Sequence, residues 1–394
     1  MPFQPFPQEE FKQRLENVQA ELTRSDLDAL LLTAKENVIY FSGLQTSGWH
    51  SKHRPLGLII PKEARPALVV PEAWESMVEE TTWISDVHLW GGWREKRAVR
   101  DPIQGIVEVI EGMGLSHGTI GMEFGTEMYL AMSQRDFFRL KDGLAHAELV
   151  DAADLIWRIR MIKSAWEVET IKVACDATCK AFEVAFQNIK AGMTERELAG
   201  MMFEVMVKHT NHLPGFAVIR SGKVKYKMMN VPPFDKKMEK GDMVLVDAGA
   251  KFNDYWCDMM RMANIGGSSD EQRQFFEVIR ASQQAGSQVI KPGIKAREIF
   301  DACKDVIDQM GFGKYIPGLE RVGHSVGLDI HEPLSLAAGS DFELKPGMVL
   351  TVEPIFSDHP DYQIGNFGIE DMILVTETGH EILTDFSRDL QIAR

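Results

Sequence analysis

One stretch of the chain, residues 244–261, restricts the fold most strongly. An apolar run, a polar tip and a second extended run follow one another there, which is the pattern of a β-hairpin. A two-residue loop at Phe252 and Asn253 would place Asp247 directly opposite Asp258, on one face of the sheet. Carboxylates on directly opposed residues, with Cβ atoms about 5 Å apart, repel each other unless a proton or a cation lies between them. The hairpin therefore predicts a cation site.

Three side chains in the C-terminal third of the chain can complete this site: His324, Glu353 and Glu370. Together with Asp247 and Asp258 they offer four carboxylates and one imidazole, a set that suits Mn²⁺, Fe²⁺, Co²⁺ or Zn²⁺. Their formal charge of −4 would be balanced by two divalent ions that share a carboxylate and a water. One such residue alone is usually a surface or core side chain. Five of them in apolar strands are costly to bury without a cation.

Length and composition restrict the class of protein and its partners. With 394 residues, of which 44% are hydrophobic, the chain can form two domains with sizeable cores. The net charge of −15 argues against nucleic acid or an anionic membrane as a partner. No apolar run approaches the roughly 20 residues of a membrane span. Residues 1–10 have neither the basic nor the apolar region of a secretory signal, so we do not expect one there. The four cysteines lack the paired spacing of a zinc site, so we expect reduced thiols in a cytoplasmic protein.

Residues 1–153 show the alternation of an α/β domain. Helical periodicity covers residues 9–24, 73–81 and 103–113. β-rich runs lie at residues 27–33, 38–41, 56–60, 67–70 and 119–123. The segment carries no phosphate-loop or dinucleotide fingerprint, so the sequence does not indicate a nucleotide site there.

Residues 154–394 form the second predicted domain, which contains an internal repeat. Capping-box patterns open three helices, at residues 164–167, 194–197 and 268–271. Residues 189–198 (IKAGMTEREL) match residues 290–299 (IKPGIKAREI), and each copy ends one helix and begins another. Two related halves, each with two helices and a piece of antiparallel sheet, predict an α+β fold. A cleft between such halves is a natural place for a site.

Six stretches of the chain match a known family. They are residues 160–164 (RMIKS), 240–249 (KGDMVLVDAG), 255–261 (YWCDMMR), 323–333 (GHSVGLDIHEP), 345–354 (KPGMVLTVEP) and 369–371 (IED). In these stretches the second domain resembles the pita-bread enzymes, which include Xaa-Pro dipeptidase (prolidase), aminopeptidase P, methionine aminopeptidase and creatinase. The resemblance covers roughly residues 155–390. It implies a pita-bread catalytic domain of two pseudo-symmetric halves, preceded by a smaller, creatinase-like N-terminal domain.

The resemblance also implies roles for the site residues. In the family, the residues that match the five predicted ligands hold a dinuclear metal centre. We predict two divalent ions, with Mn²⁺ first and Fe²⁺, Co²⁺ or Zn²⁺ as alternatives. Glu353 would move a proton while it remains a ligand, and His331 matches a histidine that contacts substrate, where it would bind the developing oxyanion or the leaving group. A homodimer is expected from the resemblance alone.

Four positions depart from the family pattern. Asn230 stands where members usually carry a substrate-contacting histidine, and Gly368 where most Xaa-Pro peptidases have an arginine. Cys257 and Met260 replace the usual hydroxyl residues. The metal-free creatinase mechanism uses that histidine as its proton carrier, and it is disfavoured because Asn230 cannot titrate. The departures keep the metal chemistry and alter the substrate pocket.

We therefore predict a dinuclear metal-dependent hydrolase of the Xaa-Pro peptidase type. It would cleave an amide C–N bond in a small, carboxylate-bearing substrate such as a dipeptide. Substrate contacts are predicted at His331, Asn230 and Arg54. Arg54 resembles an Arg-Pro of the creatinase N-terminal domain and would bind the substrate carboxylate. The alternative for residues 49–54 is an ordinary solvated loop.

Other functions stay open at this point. A pita-bread enzyme can act on a small non-peptide substrate, as a creatinase-like amidinohydrolase or as a lyase of a sulfonium osmolyte. A pita-bread domain can also serve as a scaffold without metal, although all five ligands are present in this chain. Metal content separates the scaffold from the enzymes, and product identification separates the enzymes from each other.

Overall fold

The computed structural model describes residues 6–50, 55–91, 101–222, 231–316, 318–356 and 364–393. The chain divides into two units, Met1–Arg160 and Met161–Arg394. The predicted boundary, between residues 153 and 154, falls at the start of the helix Ala153–Arg160, which ends the first unit. Within the described part of the chain, no helix combines the length and the apolar character that a bilayer span requires.

The first unit is an α/β domain, as predicted. Its helices are α1 (Gln8–Arg24), α2 (Lys35–Ser42), α3 (Glu75–Thr81), α4 (Pro102–Gly112), α5 (Gln134–Gly143) and α6 (Ala153–Arg160). Its strands are β1 (Ala29–Leu32), β2 (Gly57–Pro61), β3 (Ala67–Pro71), β4 (Asp86–Trp90), β5 (Thr119–Met122) and β6 (Glu148–Asp151). They form one sheet in the order β4-β3-β2-β1-β5-β6. The strands β1, β2 and β3 pair antiparallel, and the remaining pairs are parallel.

The prediction of a strand at residues 38–41 is wrong, because these residues lie within α2. Their β-branched and aromatic side chains favour a strand locally, but the start of α2 is held from a distance. The buried carboxylate of Glu123 accepts hydrogen bonds from Thr33 N (2.8 Å), Ala34 N (3.1 Å) and Asn37 Nδ2 (2.7 Å). This partner lies 86–90 residues away along the chain, so no short-range pattern reveals it. Sequence reasoning also omitted β4, α5 and β6.

The second unit contains four helices and the remaining strands among the described residues. The helices are α7 (Ala165–Asn188), α8 (Glu195–Thr210), α9 (Asp270–Gln288) and α10 (Ala296–Gln309). The strands are β7 (Phe216–Ser221), β8 (Met243–Gly249), β9 (Lys251–Phe252), β10 (Tyr255–Trp256), β11 (Met259–Ile265), β12 (Arg321–Ser325), β13 (Glu332–Ala337), β14 (Val349–Val352), β15 (Ile355–Phe356), β16 (Phe367–Gly368), β17 (Asp371–Val375), β18 (His380–Ile382) and β19 (Gln391–Ala393). The two larger sheets have the orders β19-β11-β8-β7 and β13-β12-β14-β17-β18.

The internal repeat predicted for this unit is visible in the backbone. Glycines with φ of 86° and 87° turn the chain at the same point of both copies. Directly after these turns, Met238 N donates to Met193 O and Leu344 N donates to Ile294 O, each at 2.8 Å. Each half then supplies an antiparallel pair, β8 with β11 in the first and β14 with β17 in the second. The α+β prediction of two pseudo-symmetric halves is confirmed.

Two of the three predicted capping boxes begin helices as expected, and the third lies one residue later than predicted. The first two boxes are confirmed at α7 and α8. The third prediction, Ser268 with Glu271, is one residue early, because Ser269 caps α9 and pairs with Gln272. Both serines fit the local pattern. The tertiary structure decides between them, since the Gln272 side chain also donates to Gly241 O at 3.1 Å.

Candidate metal centre

The predicted hairpin is present, but its tip differs from the prediction. Phe252 pairs with Tyr255, so the two-residue loop is Asn253 and Asp254. These two residues have φ of 47° and 66°, the left-handed values of a type I′ turn, which asparagine and aspartate tolerate far better than phenylalanine. The predicted tip at Phe252 and Asn253 is therefore wrong.

As a result, Asp247 lies opposite Met260 and not opposite Asp258. The shift amounts to two residues along the partner strand. Since side chains alternate with a period of two along extended backbone, Asp258 stays on the same face as Asp247. Ligand oxygens of Asp247, Asp258 and Glu370 lie within 4.8 Å of one another. The two aspartates thus come together diagonally.

The second half of the unit brings Glu353 and Glu370 to the same place. Glu353 directly follows β14 and Glu370 directly precedes β17, and their neighbours Val352 and Asp371 are paired in register. Glu370 N donates to Met260 O at 3.1 Å. This bond connects the two halves at the site, so acidic side chains from both sheets face one another.

His324 in β12 supplies the imidazole, and it is 1% exposed. Its Nε2 lies 3.4 Å from Glu353 Oε1 and 3.8 Å from Asp258 Oδ2. Its Nδ1 lies 3.2 Å from the Ser325 carbonyl oxygen, where an Nδ1 proton would be donated, leaving Nε2 as a metal ligand. Burial, assisted by the nearby His331, lowers the pKa of His324 to about 3. The imidazole is therefore neutral, as a ligand must be.

Burial dominates the electrostatics of the four carboxylates. It raises the pKa of Asp247 to about 7 and the pKa of Glu353 to about 8. It raises the pKa of Asp258 and Glu370 well above the ordinary range, and repulsion among the carboxylates adds to both shifts. Among the described residues, Asp247 Oδ1 and both Glu370 oxygens have no hydrogen-bond partner. Buried oxygens without a donor are costly, and a divalent cation is the group that would satisfy them.

His331 lies on the exposed side of this cluster. Its ring meets the His324 ring edge to face, with the ring centroids 4.2 Å apart. Asp258, His324 and His331 form a further group whose ligand atoms lie within 4.8 Å of one another. The structure therefore brings together the five predicted ligands and the predicted catalytic histidine. The other two predicted substrate contacts, Arg54 and Asn230, lie outside the described residues.

Two known sequence families match the two parts of the chain. Residues 14–162 match the creatinase/prolidase N-terminal domain. Residues 169–377, more than half of the chain, match metallopeptidase family M24. The chain belongs to metallopeptidase family M24.

Relatives of this M24 metallopeptidase match it over nearly their full length. An Xaa-Pro dipeptidase from Pyrococcus furiosus is 30% identical over 380 residues, which are 96% of this chain and 99% of that protein. The crystal structure of the prolidase from Pyrococcus horikoshii OT3 has a TM-score of 0.81 at 28% identity, over 96% of this chain and 99% of that chain. An Xaa-Pro dipeptidase from Bacillus anthracis has a TM-score of 0.84 at 25% identity, over 97% and 99%.

These matches confirm the predicted pita-bread fold with its creatinase-like N-terminal domain. They also confirm the prediction of a hydrolase. A metallopeptidase of this family uses divalent metal ions, and the groups of carboxylate and imidazole ligands described above could hold them.

Sequence reasoning missed two arginines at the site of this M24 metallopeptidase. Arg321 opens β12, and its guanidinium lies 3.9 Å from Glu353 Oε1. Arg261 is buried, and it donates to the Glu370 carbonyl oxygen and to the Asp371 carboxylate at 2.6 Å. Arg261 and Asp371 stand within the matched motif stretches, which is a signal that could have identified them. Arg321 stands outside those stretches.

Two of the departures from the family pattern are coupled in space. A Cβ atom at Gly368 would lie 2.2 Å from Met260 Sδ, a distance that no side chain tolerates. Both residues are buried. The Met260 side chain therefore occupies the space that a side chain at position 368 would need, and it would have to move to admit one.

Proposed function

We propose that this metallopeptidase is an Xaa-Pro dipeptidase, which hydrolyses the peptide bond before proline in a dipeptide. The observation that carries the proposal is the convergence of five side chains that could bind metal, drawn from both halves of the domain, beside an exposed histidine. The relatives and structural neighbours that are named Xaa-Pro dipeptidase or prolidase support this substrate class. They favour it over the amidinohydrolase and lyase alternatives.

Two divalent metal ions would be held by Asp247, Asp258, His324, Glu353 and Glu370. The groups of ligand atoms overlap, because Asp258, His324 and Glu370 each belong to two of them. The candidate ligands for two ions therefore lie in one continuous cluster. When bound, such ions activate a water and stabilise the charge that develops on the scissile carbonyl oxygen. Four carboxylates with a single imidazole form a hard, oxygen-rich set, and for that reason we propose Mn²⁺.

The side chains around the ions would bind and move protons. The Glu353 side chain is 12% exposed, against 6% for Asp258, so Glu353 reaches the margin of the cluster. There it would accept the proton of the attacking water and pass it to the leaving amine. His331 would donate a hydrogen bond to the carbonyl oxygen of the scissile bond. Asn230 and Arg54 are the further proposed substrate contacts.

The test is proline release from Ala-Pro by protein stripped with a chelator and reloaded with Mn²⁺, with Ala-Ala as the comparison substrate. We expect hydrolysis that requires metal, prefers Ala-Pro and falls to background in Asp258→Asn. Elemental analysis should find two ions per chain in the wild type and fewer in that variant. Asp308→Asn, which changes an exposed carboxylate, is the matched control. Protein that binds all four candidate metals without hydrolysing any Xaa-Pro dipeptide would contradict the proposal.

We also propose a cytoplasmic, homodimeric protein that binds neither nucleic acid nor membrane. The four cysteines are free thiols, as expected in a reducing compartment, and the net charge of −15 provides no basic footprint for a polyanion. The homodimer rests on the family resemblance. Light scattering on the purified protein tests it, and a monomer at micromolar concentration would contradict it.

A further inference from the structure

An accessible arginine lies at the margin of the ligand cluster. The Arg321 side chain is 43% exposed, whereas Glu353, the carboxylate that it faces, is 12% exposed. The two groups are 3.9 Å apart, which is longer than a hydrogen bond. A guanidinium presents five N–H donors in a planar fork that matches a carboxylate. Glu353 therefore leaves most of the binding capacity of Arg321 unused.

Two buried cations of the same unit already have close carboxylate partners. Arg261 binds Asp371 at 2.6 Å and Lys163 binds Glu332 at 2.7 Å, and each of these four side chains is at most 1% exposed. Arg321 differs from both in its exposure and in its long distance to its neighbour. Metal ions in the cluster would take up the oxygens of Glu353. Their charge would weaken the attraction of Glu353 for Arg321, which would leave the guanidinium to an incoming anion.

The position of Arg321 suits the carboxylate of a dipeptide. Three bonds separate the scissile carbonyl carbon of a dipeptide from its carboxylate carbon, so a cation that binds this carboxylate must lie at the edge of the metal cluster. Arg321 is at this edge, on the same strand as His324 and next to Glu353 in space. In a longer peptide the same place is taken by a neutral amide, which cannot form a bidentate ion pair.

We propose that Arg321 is a specificity-determining residue that binds the free C-terminal carboxylate of the substrate. This proposal rests on the dipeptidase function proposed above and deepens it. Arg321 would select dipeptides over longer peptides and over peptide amides. Charge-assisted, bidentate hydrogen bonds of this kind change affinity by about 10- to 100-fold, and the preference for a free carboxylate should have that size.

The experiment compares Ala-Pro with Ala-Pro amide as substrates of the metal-loaded protein. In the wild type, kcat/KM should be about 10- to 100-fold higher for Ala-Pro. In Arg321→Met this preference should vanish, chiefly through a higher KM for Ala-Pro, so that kcat/KM falls far more for Ala-Pro than for the amide. Arg321→Lys should retain part of the preference for the free carboxylate, because lysine keeps the positive charge but lacks the planar, bidentate guanidinium. Arg196→Met, which removes an exposed arginine paired with Asp235 at 3.2 Å, is the control and should change nothing.

Two results would overturn the proposal. Equal losses for both substrates in Arg321→Met would show that Arg321 acts through Glu353 and not through the substrate carboxylate. Loss of the preference in Arg54→Met, with Arg321→Met unchanged, would assign the carboxylate to Arg54.

A binding measurement tests the carboxylate site independently of whether the protein hydrolyses dipeptides. The probe is the Ala-Pro analogue in which a methylene replaces the scissile carbonyl, compared with its amide by titration calorimetry. If the wild type hydrolyses neither peptide but binds the acid more tightly than the amide in an Arg321-dependent way, the dipeptidase function fails and the carboxylate site stands. If the acid and the amide bind equally, or neither binds, the carboxylate site fails.

Discussion

At the scale of single residues, the buried carboxylates of this metallopeptidase suit metal binding but destabilise the metal-free protein. Glu370 is 1% exposed, and neither of its carboxylate oxygens has a hydrogen-bond partner among the described residues. Asp258 and Glu353 add repulsion that raises the pKa of Glu370 beyond the effect of burial. A neutral side chain would be less costly at this position. A cation that binds the ionised carboxylate accounts for the glutamate.

Glu370→Gln should therefore stabilise the metal-free protein and prevent full metal loading. The amide has nearly the same shape and carries no charge, so we expect the free energy of unfolding without metal to rise by about 1–2 kcal/mol. Urea unfolding in chelator and elemental analysis after reloading measure the two effects. Glu377→Gln, at an exposed position, should alter neither. A metal-free Glu370→Gln protein that is less stable than the metal-free wild type would contradict this account.

At the scale of elements, a buried ion pair holds the loop that presents His331. Lys163, just before α7, donates to Glu332 Oε2 at 2.7 Å, and Glu332 is the first residue of β13. Each of the two side chains is 1% exposed. A Cβ atom at Gly327 would lie 2.4 Å from Glu332 Oε1, so the loop backbone packs directly on this carboxylate. The pair therefore holds the start of β13, and the backbone at Gly327, near the end of β12, packs against the same carboxylate.

Removal of one partner should be far more costly than removal of both. Lys163→Met leaves Glu332 buried without its cation, and we expect a loss of about 3–5 kcal/mol in the free energy of unfolding. Most of this loss should be absent from the double variant Lys163→Met/Glu332→Leu. Lys304→Met breaks an exposed pair with Asp308 and should cost at most about 0.5 kcal/mol. Urea titrations decide, and a double variant as unstable as Lys163→Met would refute the interpretation.

The contact between β11 and β16 should behave as a coupled pair. Gly368→Ala forces a methyl group against Met260 and should cost about 1–3 kcal/mol. With Met260→Ala in the same chain, the methyl group fits the space that the sulfur leaves, so the double variant should be more stable than the two single losses predict. Gly200→Ala, where a Cβ meets nothing within 4 Å, should be neutral or stabilising. Strictly additive free energies would show that the two sites are independent.

At the scale of the whole molecule, the carboxylate cluster sets the pH dependence of the metal-free protein. Folding raises the pKa of Asp247 to about 7 and that of Glu353 to about 8, whereas carboxyls in an unfolded chain titrate near 4. Between about pH 4 and pH 8 the folded protein therefore binds more protons than the unfolded chain, and the free energy of unfolding falls as pH rises. His324 makes the free energy of unfolding rise with pH, because folding lowers its pKa to about 3. Its effect is confined to pH values below its ordinary pKa of about 6.5.

The metal-free protein should accordingly lose stability between about pH 6.5 and pH 8.5, by up to about 1.4 kcal/mol per pH unit for each proton involved. Metal ions replace these protons in the folded state, so the loaded protein should show a much smaller change. Urea unfolding across this range, with chelator and with Mn²⁺, measures the difference. Metal-free protein that grows more stable towards pH 8.5 would contradict the assignment of raised carboxylate pKa values.

Elements held by local interactions were predictable from the sequence, whereas features that depend on residues far apart in the chain were not. The helices α7 and α8 were predictable because a capping box and a periodic apolar face are local patterns. The helix α2 was not predictable, because the residues at its start donate hydrogen bonds to Glu123, which lies about 90 residues later in the chain. The hairpin was predictable as an element, but its register depended on which two residues adopt positive φ.

By itself, the sequence determined the candidate ligands, their order and the repeat that relates the two halves. These properties belong to short motifs, and a two-residue change of strand register leaves every side chain on its own face. Only the tertiary structure decided that Asp247 lies opposite Met260, that Met260 fills the space beside Gly368, and that Arg321 faces Glu353. Such contacts join residues far apart in the chain, and their free energies depend on burial and register, which no short stretch of sequence contains.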